Sequence, residues 1–327
     1  MKVKTDVEME NPRVEVVGDA CKPTILSRDV DDLMRSNILK AERRAIVYDR
    51  IATVTVWSLA VLGLGILFFI IATIFWRGLG TALNPSFFMG KPQALKEGGG
   101  IGPMIVSSFY LAFLTIIIVV PVGVGAAIYM SEFAKEGWVT RSVRFGADTL
   151  STVPSVIFGI FGLVLFVIYF GLGYSLLAGA LTLTLLNIPT VMRTTEEAIK
   201  AVPISYREAS MGLGATRWET VKKVVLPSAM PGITTGTVLT IGRIIGESAA
   251  IIFTVGIFIR KIPTSPLQPA APMAANIWHT YTEGALVSDW MRVANGEAAF
   301  LLLVVLLLNL LARVVARLYQ KRLGMVK

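Results

Sequence analysis

The sequence predicts an all-α membrane protein with six transmembrane helices. Three observations carry this prediction. Hydrophobic residues fill 54% of the 327 positions and charged residues only 16%, against about 25% charged in soluble domains. The mean hydropathy is +0.68. The few charges are clustered, which leaves uncharged stretches of the roughly 20 residues that a helix needs to cross hydrocarbon.

The elements follow in order. Residues 1–50 hold 10 basic and 10 acidic side chains and no long apolar run. They read as an N-terminal extension in the cytoplasm, with a surface helix over 29–49 leading into the first span. The first apolar stretch is too long for the h-region of a cleavable signal peptide. That stretch, 51–76, lies between Arg50 and Arg77 and is the first span. Gly98, Gly99 and Gly100 form a turn before the second span, whose apolar part is 104–130. The 44 uncharged residues between Asp148 and Arg193 suit two spans joined at Gly171-Leu172-Gly173. The fifth span runs over 229–258 and carries Arg243 and Glu247. Pro263, Pro266, Pro269 and Pro272 break the chain after it. The sixth has an uncharged core at 298–312 and extends with Arg313 and Arg317 reaching back to the interface. Residues 51–327 therefore read as one six-helix transmembrane domain.

Lys and Arg set the orientation. With the N-terminus in the cytoplasm, 24 basic residues lie on the cytoplasmic side and 6 outside, so both termini are expected inside. This asymmetry also accounts for the net charge of +9 without a nucleic-acid partner. One cysteine, Cys21, and one histidine, His279, leave no intrachain disulfide, no thiolate or imidazole metal cluster, and no second imidazole for acid–base chemistry. No cluster of nucleophile, acid and base marks a membrane enzyme.

The most informative segment is the loop at about 204–227, placed in the cytoplasm by the charge pattern. Ser205 and Thr216 are good N-caps for two short helices, Gly212 and Gly214 suit a break between them, and Pro227 is expected to stop the second. Such a knob can seat in a groove of a partner protein or lie on the lipid surface. Its spacing is specific. Glu208-Ala209-Ser210, then Gly214, then Leu226-Pro227, with Arg217 and Trp218 between, resembles the EAA loop of ABC importer permeases. Ser210 stands where that pattern usually has Ala.

The resemblance extends over about residues 50–320 to phosphate-importer permeases, of the PstA type more than the PstC type. It is carried by Gly99-Gly100-Ile101-Gly102-Pro103, Val153-Pro154-Ser155-Val156-Ile157-Phe158-Gly159, Met192-Arg193-Thr194-Thr195-Glu196-Glu197-Ala198, Gly242-Arg243-Ile244-Ile245-Gly246-Glu247 and Leu308-Asn309-Leu310-Leu311-Ala312-Arg313. One departure is Ser248-Ala249-Ala250, where Thr-Ala-Pro is common. The resemblance implies the six-helix type I importer fold and a permease subunit that imports inorganic phosphate by alternating access. It also implies two ATPase subunits docked on the EAA loop, a second permease subunit of the PstC type, an external phosphate-binding protein, and surrounding lipid. A permease for sulfate, molybdate or tungstate, or an ion-coupled secondary carrier, are the other readings. No Gly-x4-Gly-Lys-[Ser/Thr] occurs, so ATP and Mg are expected in the ATPase partner rather than here.

Arg243 and Glu247 are the ionisable residues well inside an expected span, where each costs about 2.5–3.5 kcal/mol at a helix centre. Four residues apart, they are expected to share a helix face and pair. They read either as a structural lock or as part of an anion path, since a guanidinium is a forked donor for oxyanions. Arg193, at the end of the fourth span, is a further candidate for that path. Gly232 with Gly236, and Gly242 with Gly246, suit close helix approach around the pair.

Overall fold

The computed structural model describes the backbone of residues 25–92, 99–257, 261–284 and 289–322, with side chains from Ala45 onward except at a few positions near the C-terminus. Cys21, Gly98 and the end of the expected fifth span lie outside the described residues. The chain divides into two compact units, Met1–Phe69 and Ile70–Lys327.

In the first unit a single helix, α1 (Ile25–Ala82), replaces the expected surface helix followed by a span. No Gly or Pro occurs between 25 and 62 to break it. From Ala45 to Phe69 its side chains are exposed. A helix apolar on every face suits lipid rather than a one-sided protein core.

The second unit begins with the last turns of α1. Asn84 then caps α2 (Pro85–Met89), its side chain accepting from the Ser86 amide at 3.1 Å. Next come α3 (Gly102–Ile128), which ends in a π-helical turn at Tyr129–Phe133, and α4 (Trp138–Thr152). They are followed by α5 (Ser155–Gly162), which continues as π-helix through Tyr169, and α6 (Leu176–Lys200). The helices α7 (Ile204–Gly212) and α8 (Arg217–Thr220) form the loop knob. A π-turn at Val221–Val225 leads into α9 (Leu226–Gly246), then α10 (Ala249–Ile252), α11 (Met273–Glu283) and α12 (Trp290–Arg322).

The centre of this unit is α6. Its apolar window is 67% buried, against 33% for α3 and for α9 and 28% for α12. It packs between α3 and α9, and α12 packs on α9. Small residues allow the close contacts. A side chain at Gly123 of α3 would meet Val191 of α6 at 2.8 Å. One at Gly232 or Gly236 of α9 would meet Ala198 or Thr194 of α6, at 2.7 and 2.8 Å. The first expected glycine pair therefore is a helix-packing pair. The second is not: Gly242 faces Asn309 and Val305 of α12 at ordinary contact distance, and Gly246 faces open space.

Five described helices are long and apolar enough to cross a membrane, or six if the bent pair α4 and α5 counts as one span. The expected third span is thus not one straight helix. The chain turns by 100° between Trp138–Thr152 and Ser155–Tyr169. Pro154 causes the turn by holding Val153 in an extended conformation, φ −70° and ψ 130°. Gly171 and Gly173 make the expected turn, both with positive φ, 66° and 61°. The sixth span extends as expected, and Arg313 and Arg317 are exposed on the continuous α12.

The fifth span also differs. The helix stops at Gly246, and Glu247 is extended, with φ −74° and ψ 128°. Its carboxylate accepts from the Ala250 amide at 3.4 Å, meeting an orphan donor at the start of α10. Glu247 therefore does not lie on the Arg243 helix face. Pro227 does not stop the preceding helix either. It sits near the start of α9 within a helix that runs unbroken from Arg217 to Gly246, and the π-turn before it carries the chain through.

Candidate functional site

The loop knob forms largely as its residues dictate. Thr216 caps α8 in a complete capping box: its hydroxyl accepts from the Glu219 amide, and Glu219 Oε2 accepts from the Thr216 amide at 3.0 Å. Gly214 has φ +87°, a conformation that glycine alone adopts without strain. Ser205 does not cap α7, because the helix already begins after Pro203, whose fixed φ starts the turn. Glu208 and Ala209 are exposed on α7, and Leu213 at the tip is 90% exposed. Leu226 packs against a small core of Ile199, Val202, Val225, Ala229 and Ile233, and half-buried Pro227 follows it.

What seats the knob is mostly polar, and its main anchor, Arg207, is not one of the motif residues. Arg207 donates to Glu132 Oε1 through Nε at 3.1 Å and Nη2 at 2.8 Å. The same guanidinium donates to the carbonyls of Ile199 and Val202 at the end of α6, at 2.9 and 2.8 Å. Ser210 Oγ and Thr220 Oγ1, 2.9 Å apart, tie α7 to α8. The serine that departs from the usual alanine thus makes a bond that alanine could not. Phe133 carries the rest: the Trp218 ring lies 6.1 Å from it and the Arg217 guanidinium 5.6 Å over its face. Arg217 and Trp218 are singled out in the loop by sequence; Arg207 lies in the same loop but is not, and Glu132 and Phe133 lie outside it. Glu132 and Arg207 lie 75 residues apart, and a charge at the end of an apolar run reads as solvated until its partner is known.

Arg193 belongs to a charge network between α4 and α6. Its Nη1 donates to Asp148, and its Nε lies 3.5 Å from Glu197. Buried Glu196 stands 3.6 Å from both Arg144 and Lys200. These side chains line a cleft of ≈ 190 Å³. Three cations there face three carboxylates, so the cleft offers an anion no net attraction.

Arg243 differs. It is exposed on α9, and its Nη1 donates to the neutral Thr190 hydroxyl at 3.3 Å. Among the described residues it makes no ion pair with Glu247, contrary to the expected salt link. Thr190 lies three residues before Arg193, so the structure brings both arginines to α6 while directing Glu247 to α10.

A further ionisable residue lies inside the helices, which corrects the expectation that Arg243 and Glu247 account for them. Glu297 of α12 is fully buried and accepts from Asn276 Nδ2 of α11 at 2.7 Å. Nearby, Tyr281 donates to Asn295 Oδ1 at 2.9 Å, and the Met273 amide at the start of α11 donates to Ser108 Oγ of α3 at 2.8 Å. Glu297 borders the uncharged core of the sixth span, and so it reads from sequence as an end marker. His279 is 15% exposed in its side chain, with Nε2 3.2 Å from Glu283. Among the described residues no group of three or more His, Cys, Asp or Glu could hold a metal ion.

Comparison with known proteins bears on this arrangement. The sequence profile described as "Binding-protein-dependent transport system inner membrane component" matches residues 119–325. A probable ABC transporter permease protein of Bacillus subtilis, YqgI, is 41% identical over 253 residues, which cover 74% of this chain and 86% of that protein. The phosphate transport system permease protein PstA of Yersinia pestis is 32% identical over 267 residues, covering 82% of this chain and 89% of that one. Among solved structures, an inward-facing MetNI methionine ABC transporter shares the fold, with a TM-score of 0.52 and 21% identity over 67% of this chain and 94% of its own.

Proposed function

We infer the function from one premise: the chain belongs to the family of binding-protein-dependent transport system inner membrane components. It is an ABC importer permease subunit, a multi-pass membrane protein and not itself an enzyme. Beyond this we propose that its cargo is inorganic phosphate and that it works by alternating access in the cytoplasmic membrane. Its partners are then two ATPase subunits holding ATP and Mg, a PstC-type permease, and an external phosphate-binding protein. The observation that carries the cargo is the likeness to PstA across 82% of this chain, joined to an arginine whose described partner is a neutral hydroxyl.

In this reading the knob formed by 204–227 faces the cytoplasm, the side that the Lys and Arg distribution favours, and presents Glu208 and Ala209 to the ATPase. Arg243 offers a charge-assisted donor to a passing oxyanion. Glu247 and Arg193 shape the path rather than bind within it, because Glu247 Oε1 and the Nε and Nη1 of Arg193 already have partners.

Two measurements test this reading. The ATPase is expected to co-purify with the wild-type chain and to be lost on Gly214→Val, which forces a β-branched residue to φ +87°. Transport by the lone chain on an ion gradient would overturn the importer reading. For cargo, Arg243→Gln removes about 1.5–3 kcal/mol of charge-assisted hydrogen bonding, a factor of roughly 10–150 in uptake. Labelled phosphate uptake should fall by that factor, with sulfate, molybdate and tungstate as poor competitors in the wild type. Efficient competition by one of these would move the assignment to another oxyanion, and unchanged uptake would remove Arg243 from the path.

A further inference from the structure

The knob has an unusual seat. None of the residues of α7 is buried, and α7 contributes to none of the apolar clusters among the described residues. Its described side-chain bonds to the rest of the chain come from Arg207 and Ser210. Ser210 reaches only the neighbouring π-turn entry at Thr220. Arg207 reaches the helices: Glu132 at the end of α3, and the Ile199 and Val202 carbonyls at the end of α6. The pair is largely enclosed, with side chains 18% exposed for Arg207 and 10% for Glu132.

We propose that Arg207 and Glu132 are positioning residues that transmit movement of the coupling helix α7 to α3 and α6. The inference rests on the importer reading above. Physically, a helix without an apolar anchor slides or tilts under an external push unless a directional contact holds it. A guanidinium supplies that contact, since its planar fork fixes angle as well as distance. Here one fork holds three helices. Arg207 adjoins Glu208 in the chain, so a force applied at the exposed motif reaches the fork within one residue. Phe133, next to Glu132, takes up Trp218 and Arg217 from α8. The end of α3 is therefore gripped from both halves of the knob, and the glycines at 212 and 214 leave those halves able to change angle.

The test uses the purified complex in proteoliposomes, with binding protein, labelled inorganic phosphate inside the vesicles and ADP release as the two readouts. Their ratio measures coupling. Glu132→Gln and Arg207→Gln are expected to keep the ATPase bound and hydrolysing while phosphate carried per ADP falls about tenfold, within the usual 5–150-fold range of coupling between sites. Arg207→Lys keeps the charge but not the fork and should also lose coupling, and it serves if the Gln variants fold poorly. Single variants with a wild-type ratio would overturn the inference, and so would simple loss of the ATPase with the remaining complexes fully coupled. A wild-type chain that purifies without any ATPase would instead sink the importer reading and this inference with it. A coupled wild type with coupled variants sinks this inference alone.

Discussion

Gly100→Val should leave little folded protein in the membrane. A Cβ at Gly100 would stand 2.5 Å from the Gly90 Cα, 2.6 Å from the Gly90 carbonyl carbon and 2.6 Å from the Phe87 carbonyl oxygen. All three are backbone atoms, so no rotamer change relieves the overlap. The backbone there is also fixed by three hydrogen bonds, from Gly100 to Lys91 at 3.0 Å, Ile101 to Phe87 at 2.8 Å and Gly102 to Gly90 at 3.1 Å. Moving either segment would break those bonds and pull out Ile101 and Met104, which are 0% and 2% exposed in the main core. Overpacking of a fixed site costs about 1–3 kcal/mol or more, and Val adds two methyl groups to a position that already rejects one. Even Gly100→Ala is expected to lower the melting point of the purified chain in detergent. Gly125→Ala is the matched control. It lies in α3 with nothing within 4 Å of its Cβ, and Ala is favoured over Gly in a helix by roughly 0.8–1 kcal/mol. Its melting point should hold or rise. Equal behaviour of the two Ala variants would show that the contact between Gly90 and Gly100 does not hold α2 to α3.

This contact explains in physical terms a motif that the sequence shows only as a run of glycines before an apolar helix. Other features were legible for the same reason that they are local. The capping box at Thr216 and Glu219, the positive φ at Gly214 and the turn at Gly171 and Gly173 each follow from residues within a few positions of one another. Counting charges located the apolar helices because lipid penalises charge wherever it falls along the chain. It could not locate breaks inside an uncharged run. Pro154 bends the chain by 100° without any change in charge. Glu247 was misread because the helical period was extended past Gly246, where a capping bond to Ala250 wins over the next helical turn. The partners of Arg207 and Glu297 depend on chain packing over distances of 75 and 21 residues, so no periodicity reveals them. The same limit applies to the bond from Arg193 to Asp148 of α4, 45 residues away, whereas its contact with Glu197 is an ordinary i,i+4 pair.

Glu297→Ala is expected to be among the most damaging single substitutions in α12, and Glu297→Gln among the mildest. The carboxylate is fully buried, and Asn276, its partner at 2.7 Å, is only 1% exposed. Truncation to Ala removes the acceptor and leaves the Asn276 amide dry. An unsatisfied buried donor costs about 1–3 kcal/mol, and the cavity adds to it. A total of roughly 3–4 kcal/mol is the expected loss, on the scale of a typical domain's whole margin of about 5–15 kcal/mol. Gln has nearly the same shape, and its amide oxygen can accept from Asn276, so it should cost under about 1 kcal/mol. The consequence is local before it is global. Asn276 lies on α11, which is tied to α3 through Met273 and Ser108 and to α12 through Tyr281 and Asn295. The proline-rich segment before α11 in turn supplies the Gln268 and Pro266 carbonyls that accept from the first amides of α6, at 3.0 and 2.8 Å. Loosening α11 therefore frees the start of the most buried helix. Amide exchange should rise first at Leu176 and Leu177 in Glu297→Ala, ahead of any change at the end of α6 near Lys200. Scanning fluorescence in detergent gives the stability difference, and exchange mass spectrometry gives its location. If Gln proves as damaging as Ala, the carboxylate acts through its charge rather than as an acceptor for Asn276, and the anchoring role assigned here to that bond is wrong.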